Sequence, residues 1–351
     1  MLKPFKFTRN RVLRLYRGGS GIDRLRGEPG EDTRFPEDWI ASCIEGNGRA
    51  YHSPGHGVSK IEYGGELHSF PEFLAEHAAG ILGERHIARF GVNPAVLTKL
   101  LDSAERLPLQ VHPARADAER LFCLPYGKTE AWIVLATRMA GGEEPYLLAG
   151  FNGTFDRETF FRESREGVYR KGLGMLHKLA VKPGDVIVIR GGLPHAIGPG
   201  VTMVEVMEPS DLVIVPEIDC CGVMLDEAKR FAGLAPETAL ALFDTAVRSE
   251  AELRAAIMPR PETVEWNGAG ILRTILPYSA CSGYFQAQEL TLDGEWPLPP
   301  CGCFRIGIPV EGEFRLGGLT LRAGESFMVP YEAEPCPLSG RGRVIWILPP
   351  R

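Results

Sequence analysis

The sequence predicts a mainly β protein made of two β modules with a helical segment between them. Residues 107–215 alternate with a period of two and contain short apolar runs, as expected for strands. Residues 270–348 show the same succession of strands and turns. The 41 glycines and 28 prolines of the 351 residues exceed the usual shares of about 7% and 5%, which favours short strands joined by turns.

Two segments have the spacing of apolar residues that is typical of helices. Residues 70–101 are predicted to be largely helical, and residues 225–258 form a second helical segment. In the second segment Leu240, Phe243 and Val247 would lie on one side of a helix. The first 50 residues are predicted to form short strands and loops.

The composition is that of an ordinary globular chain, with 44% apolar and 24% charged residues. A net charge of -6 does not favour nucleic-acid binding. No apolar run reaches the roughly 18–20 residues that span a bilayer, so no membrane segment is predicted. The first 17 residues are basic but lack the apolar core of a signal peptide. We therefore expect an ordered basic segment and a cytoplasmic location.

The eight cysteines contain no C-x-x-C pair and form no repeating framework. In a chain of this length they are interpreted as reduced thiols. Cys301 and Cys303 are separated by a single glycine. Such a pair is redox-active, binds a metal or simply flanks a turn with two buried thiols, and the sequence favours the turn.

Four residues have the chemistry of a divalent metal site. Gln110 and His112 are two positions apart on a predicted strand, so their side chains face the same side. Glu130 begins the next strong strand, and His195 follows a glycine-rich turn. Two imidazoles, a carboxylate and an amide oxygen suit a metal such as zinc and leave a position for a substrate oxygen.

Two other motifs are weaker. The Gly127-Lys128-Thr129 segment lacks the earlier glycine of a phosphate loop, whose position holds Phe122, and a strand follows it instead of a helix. His52 and His56 would chelate a metal from a helix, but Pro54 and a glycine lie between them, which favours a plain loop.

The segments Q-V-H-P, G-K-T-E-A-W and G-G-x-x-H-A-I-G together resemble the type I phosphomannose isomerase family, whose members are zinc-dependent cupins. Residues 36–42 resemble the family's G-E-x-W-x-x-S segment, and residues 97–102 look like the end of the helix that precedes its metal-binding strand. The resemblance implies a bicupin fold and aldose–ketose isomerisation of mannose 6-phosphate or a related sugar. It also implies a set of zinc ligands, namely Gln110, His112, Glu130 and His195.

Further assignments concern the active site, for which the resemblance is the guide, and the domains, which follow from the pattern of strands and helices. Lys128 would line the active site, and Arg190, five residues before the last ligand, is a second catalytic candidate. No histidine follows His195, so the second β module would have no cupin metal site. The predicted parts are an N-terminal segment with the metal-binding cupin (1–217), a helical insert (218–262) and a C-terminal cupin-like module (263–351).

Two positions depart from the family pattern. Val215 stands where the family has an arginine that is held to act in catalysis, and Pro108 stands where it has a serine thought to hold the phosphate. Arg190, Arg138 and Arg170 are candidates to replace the arginine. The alternatives are an isomerase of an unphosphorylated sugar, a sugar-binding or regulatory cupin without turnover, and a metal-dependent oxygenase of the cupin superfamily. The expected partner is a small sugar or sugar phosphate.

Overall fold

The structure, a computed structural model, describes residues 1–46 and 53–351. Most of the regular structure is antiparallel strand, which confirms the predicted mainly β, cupin-like fold. The strands are β1 Phe5–Phe7, β2 Arg11–Val12, β3 Glu37–Ile40, β4 Lys60–Tyr63, β5 Glu66–Ser69, β6 Leu97–Asp102, β7 Glu130–Thr137, β8 Tyr146–Phe151, β9 Leu176–Ala180, β10 Val186–Ile189, β11 His195–Ile197, β12 Val201–Met207, β13 Asp219–Cys220, β14 Val223–Met224, β15 Glu262–Asn267, β16 Gly270–Leu276, β17 Gln286–Trp296, β18 Arg305–Leu316, β19 Leu319–Arg322, β20 Ser326–Val329 and β21 Leu338–Leu348. The helices are α1 Ser20–Leu25, α2 Phe70–Glu76, α3 Ala78–Leu82, α4 Glu84–Phe90, α5 Arg115–Phe122, α6 Arg157–Glu166, α7 Glu227–Arg230, α8 Pro236–Leu240 and α9 Glu250–Ile257, with 3₁₀ turns at Gly172–Met175 and Tyr278–Cys281.

A six-stranded sheet carries the middle of the chain. Its strands lie in the order β10-β7-β12-β6-β3-β2. On β7, Trp132 and Val134 pack toward a three-stranded sheet of order β11-β8-β9, whereas Ala131 and Ile133 pack toward a larger sheet on the other side. Because both faces are covered, the strand is an almost continuous apolar run.

The larger sheet has the order β15-β16-β17-β21-β18-β20-β1-β4-β5, with β19 paired to β18. Strands from the first 70 residues therefore extend the sheet that the C-terminal strands build. Phe5 lies opposite Met328 in this pairing, and its ring makes an edge contact with that of Phe73 on α2 at 5.7 Å. The N-terminal strands and α2 are thus tied to the C-terminal sheet, while the boundaries at 217 and 262 stay a prediction.

The helical prediction for residues 70–101 is correct only for its first part. Three short helices end at Phe90, and Leu97–Asp102 is a buried strand instead of a helix end. Pro94 and the positive φ of Ala95 (58°) break the helical pattern. Since β6 is buried on both faces, its apolar residues do not alternate clearly, and spacing alone does not distinguish it from a helix.

The predicted helical segment 225–258 is likewise shorter than expected. It contains α7, α8 and α9, which are separated by turns. Phe243 lies after α8, and Val247 is 52% exposed and bridges Phe151, so these two residues do not share a helix face with Leu240. Helices α5 and α6 also interrupt the stretch that the sequence predicted as strand.

Two remaining predictions concern the N-terminal part and membranes. His56 is a loop residue whose Nε2 accepts a hydrogen bond from the Leu13 amide at 2.8 Å, and His52 lies outside the described residues. Within 1–46 the predicted strands and loops are joined by one short helix, α1. Among the described residues we find no helix with the length and apolar character needed to cross a bilayer.

Candidate metal centre

Two imidazoles and a carboxylate converge inside the β structure. His112, Glu130 and His195 are at most 1% exposed, and their ligand atoms all lie within 4.8 Å of one another. The Nε2 atom of His112 is 3.3 Å from Oε2 of Glu130, and Nε2 of His195 is 3.4 Å from Oε1. Within the described residues this is the one group of three or more potential metal ligands of the histidine, cysteine or carboxylate type.

Backbone carbonyls orient both rings. Nδ1 of His112 lies 3.0 Å from the Leu212 carbonyl, and Nδ1 of His195 lies 2.8 Å from the Leu193 carbonyl. Each Nδ1 donates its proton to that oxygen, which leaves the lone pair of each Nε2 directed at Glu130. Burial and the nearby Lys128 charge together lower the pKa of His112 to about 3. The His112 ring is therefore neutral, the form that binds metals.

The strand pairing places Gln110 beside this group. The amide and carbonyl of Gln110 exchange hydrogen bonds with those of His195 at 2.9 and 3.0 Å. Directly opposed residues of an antiparallel pair project to the same face, so the side chains of Gln110 and His195 share a side. The structure thus brings the fourth predicted ligand to the face that carries His195.

Close backbone approach explains the two glycine-containing motifs. A Cβ on Gly191 would lie 2.5 Å from the Ala114 amide nitrogen, and one on Gly127 would lie 2.7 Å from the Pro113 carbonyl oxygen. Both glycines therefore permit the chain to pack against the turn that follows His112. This packing sets the positions of the segments that carry the two histidines and Glu130.

Lys128 contacts the ligand atoms of Glu130 and His112. Its Nζ lies 2.9 Å from Oε2 of Glu130 and 3.2 Å from Nε2 of His112, and the side chain is buried. Burial alone would raise the pKa of Glu130, but the charge of Lys128 outweighs it and holds that pKa well below its usual value. The predicted active-site lysine is thus placed beside the candidate ligands, with its charge next to an ionised carboxylate.

The donor set fits a divalent metal. Oε2 of Glu130 and Nε2 of His195 are fully buried and make no well-aligned hydrogen bond, although the former is in ion-pair contact with Lys128. Unsatisfied buried polar atoms are costly, and a cation between them would satisfy both. Imidazole nitrogens and carboxylate oxygens are common ligands of zinc.

A second buried charge network, which the sequence did not predict, lies beside the centre. Lys99 on β6 is 1% exposed, and its Nζ lies 2.9 Å from Glu205 Oε2 and 3.4 Å from Glu37 Oε2. Arg14 reaches Glu37 and Asp211 at 3.1 Å each. Glu205 pairs with Trp132 across β12 and β7. Its side chain therefore faces the same interior as Glu130, two residues along β7 from Trp132.

The carboxylates of this interior differ in their proton affinity. Burial raises the pKa of Glu205, and the charge of Glu130 adds to this effect although Lys99 opposes it. For Glu37, by contrast, Arg14 and Lys99 overcome the effect of burial and lower the pKa to about 2. Glu205 is therefore the carboxylate in this interior with an increased affinity for a proton.

The three arginines that the sequence suggested as replacements for the family's arginine make their contacts away from the His-Glu-His group. Arg190 is exposed, and its guanidinium donates to the Ala280 carbonyl at 3.0 Å. No hydrogen bond or ion pair joins it to the His-Glu-His group within residues 1–46 and 53–351. Arg138 binds Asp102 and Asp32, and Arg170 binds Glu166 at the surface.

Arg115 is a further candidate that sequence reasoning missed. It begins α5, and its Nε donates to the buried Glu208, whose other oxygen accepts from the Thr129 amide at 2.9 Å. The guanidinium lies 3.8 Å from the ring centroid of Tyr284, and its Nη2 is buried without a hydrogen-bond partner. In the sequence, the indication of a role at the site was that Arg115 lies three residues after the predicted ligand His112.

Comparison with known proteins adds sequence and structural relatives. The chain is 31% identical over 138 residues to the mannose-6-phosphate isomerase ManA of Bacillus subtilis, covering 39% of this chain and 40% of that protein. It is 30% identical over 197 residues to the mannose-6-phosphate isomerase of Streptococcus mutans, covering 54% of each. These alignments span about half or less of the two relatives. No protein-family model matches the chain.

The crystal structure of the mannose 6-phosphate isomerase from Bacillus subtilis superposes with a TM-score of 0.75 at 20% identity, covering 99% of both chains. The described part of the chain therefore has the same fold as that isomerase. Together with the sequence relatives, this likeness supports the chain as a divergent member of the mannose-6-phosphate isomerase family, as the motifs indicated.

Proposed function

We propose that the chain is a zinc-dependent aldose–ketose isomerase that interconverts mannose 6-phosphate and fructose 6-phosphate or a closely related pair of sugars. The observation that carries the proposal is the buried convergence of His112, Glu130 and His195, in a chain whose relatives are named as isomerases. Gln110, on the same face as His195, would complete the zinc ligands. When bound, zinc supplies a Lewis acid that polarises the carbonyl and hydroxyl oxygens of the sugar.

The chain's own residues would bind the sugar and move the proton. Lys128, whose ammonium already lies at the ligand atoms, would donate hydrogen bonds to the sugar oxygens. Isomerisation also needs a group that carries a proton between C1 and C2. We assign this role to Glu205, whose buried Oε2 has an ion-pair contact with Lys99 but no well-aligned hydrogen bond. Buried apolar side chains pack around Trp132 next to these charged groups.

The position of Arg115 favours a phosphorylated substrate. Glu208 accepts hydrogen bonds from both Arg115 and the amide of Thr129, the residue before Glu130. A single side chain, that of Glu208, therefore connects the Arg115 guanidinium to the segment that carries Glu130. The Arg115 side chain is 32% exposed, so the accessible part of its guanidinium would donate to a phosphate oxygen, for which arginine is well suited. We therefore propose that Arg115 replaces the arginine that the family has at position 215.

A second candidate function is isomerisation of an unphosphorylated sugar. It is favoured by Val215, which is 5% exposed in an apolar cluster and offers no donor, and by Pro108, which also has no donor. If the Arg115 guanidinium does not contact the substrate, no phosphate ligand remains among the predicted replacements. The two candidates share the metal centre and differ in the phosphate.

The test is metal analysis of the purified protein together with an isomerase assay on mannose 6-phosphate and mannose. We expect about one equivalent of zinc and turnover of the phosphorylated sugar. In His112→Ala most of the metal should be lost, whereas His177→Ala, on β9 and hydrogen-bonded to the Arg248 carbonyl, is the matched control and should keep it.

Each other result has a definite meaning. Turnover of mannose alone would support the second candidate. Bound zinc without turnover of either sugar would support the sugar-binding protein, and a redox-active iron in place of zinc would support the oxygenase. A metal-free wild-type protein, or full metal content in His112→Ala, would refute the site.

A further inference from the structure

Two cysteines far along the chain from the metal centre are in contact. Cys301 and Cys303 lie in the connection between β17 and β18, and their Sγ atoms are 3.5 Å apart. Cys301 is exposed and Cys303 is half-buried. Gly302 between them has a φ of +76°, and the space beside it is open, so a left-handed turn brings the two thiols together.

The surroundings give the two thiols different characters. The hydrogen bond between the thiols and the charge of Arg305 lower the pKa of Cys301 to about 6, although burial opposes them. The same contact and burial raise the pKa of Cys303. Arg305 is held across the turn by a hydrogen bond from its Nη2 to the Pro299 carbonyl at 2.5 Å. The exposed sulfur is therefore the more acidic one, and the sheltered one keeps its proton. When protonated, the Cys301 thiol donates to the Cys303 carbonyl at 3.2 Å.

A metal site is not supported here. Two thiols need further ligands to hold zinc, and the carboxylate of Glu311 on β18 is ion-paired with Arg343 at 2.8 Å. Outside 47–52, the only cluster with three or more potential ligands is the one at His112. An exposed thiolate beside a second thiol is instead the arrangement of a reversible redox pair.

We propose that Cys301 and Cys303 form a dithiol site that reduces hydroperoxides and is itself oxidised to a disulfide. The Cys301 thiolate attacks one oxygen of hydrogen peroxide, the O–O bond breaks, hydroxide leaves and Cys301 becomes a sulfenic acid. Cys303 then attacks the Cys301 sulfur, the S–O bond breaks and the second oxygen leaves as water, with the Cys303 proton. In total two thiols and one peroxide give one disulfide and two waters.

The geometry favours formation of the disulfide over further oxidation of the Cys301 sulfenic acid. The sulfur atoms must approach from 3.5 Å to the disulfide bond length of about 2.0 Å. Rotation of the two side chains in an open turn allows this movement. Because Cys303 is already in contact with Cys301, the sulfenic acid should be resolved before a second peroxide arrives.

The first experiment treats the purified full-length protein with one equivalent of hydrogen peroxide and maps its peptides by mass spectrometry. We expect the peptide with both cysteines to lose two hydrogens and to regain them with dithiothreitol. In Cys303→Ser, dimedone should label Cys301, and in Cys301→Ser no disulfide should form. Cys123→Ser, which removes the other exposed cysteine, should leave the reaction unchanged.

The second experiment compares alkylation rates at pH 6. A thiol with a pKa of about 6 should react with iodoacetamide about tenfold faster than an ordinary thiol with a pKa of about 8.5, after its lower intrinsic nucleophilicity is included. Equal rates for Cys301 and Cys123 would overturn the assignment of the thiolate. Oxidation of Cys301 to sulfinic acid without a disulfide would overturn the resolving role of Cys303.

Discussion

Replacing Glu37 by glutamine tests whether the buried charge network stabilises the fold. The Glu37 carboxylate accepts hydrogen bonds of 2.6 Å from Tyr16 and Trp39 and is paired with Arg14 and Lys99. These partners lower its pKa from 4.5 to about 2 despite burial. At about 1.4 kcal/mol per pKa unit, the ionised carboxylate stabilises the fold by about 3 kcal/mol at neutral pH.

The sign of the pH dependence follows from the direction of the shift. A carboxyl group whose pKa is lower in the folded state stabilises the protein fully above its unfolded pKa, and this stabilisation is lost as the pH falls through the folded pKa. For Glu37 the range runs from 4.5 down to about 2. Urea unfolding should show Glu37→Gln to be about 3 kcal/mol less stable at pH 7 but only about 2 kcal/mol less stable at pH 3.5.

The matched control is Glu311→Gln. Glu311 is also ion-paired with an arginine, Arg343 at 2.8 Å, but its side chain is 64% exposed. Exposed pairs contribute little, so this variant should lose less than about 1 kcal/mol. The reasoning is refuted if both variants lose the same free energy of unfolding, or if the loss in Glu37→Gln does not depend on pH.

Three further variants address the site itself. Arg115→Ala should raise KM for mannose 6-phosphate about tenfold or more, because a charge-assisted hydrogen bond to the phosphate is lost. The KM for mannose should stay the same. Equal changes in KM for both sugars would contradict phosphate binding by Arg115. Lys128→Met should lower kcat by about 100-fold with metal content retained, as measured by metal analysis and steady-state kinetics. Gly191→Ala should destabilise the protein by about 2 kcal/mol in urea unfolding, because its Cβ would meet the Ala114 amide nitrogen at 2.5 Å; unchanged stability would show that the turn can shift.

Part of the candidate metal centre could be proposed from the sequence because the sequence encodes that part locally. Gln110 and His112 are two apart, and Glu130 follows a glycine that permits close backbone approach. The convergence of His112 with His195 was not a geometric deduction from the sequence, since it depends on strands far apart along the chain. There the family resemblance supplied what spacing could not.

The charge network could not be predicted from the sequence. Arg14 and Asp211 are 197 positions apart, and no short-range pattern connects them. Lys99 lies in a strand buried on both faces, where the apolar spacing does not distinguish strand from helix. Only the pairing of β6 with β3 and β12 shows that Lys99 faces the carboxylates.

The same network lies near position 215, where the family that the motifs resemble has an arginine. Val215 packs among apolar residues, so a guanidinium there would be buried without a partner. Asp211, four residues earlier, is instead paired with Arg14 from the N-terminal segment. The described charges at and beside the centre are those of Arg14, Lys99, Arg115, Lys128, Glu37, Glu130, Glu205, Glu208 and Asp211. These four cations and five carboxylates have a net charge of -1, which a divalent ion would change to +1. A positive interior attracts an anionic sugar, so under the proposed function metal binding and phosphate recognition would reinforce each other.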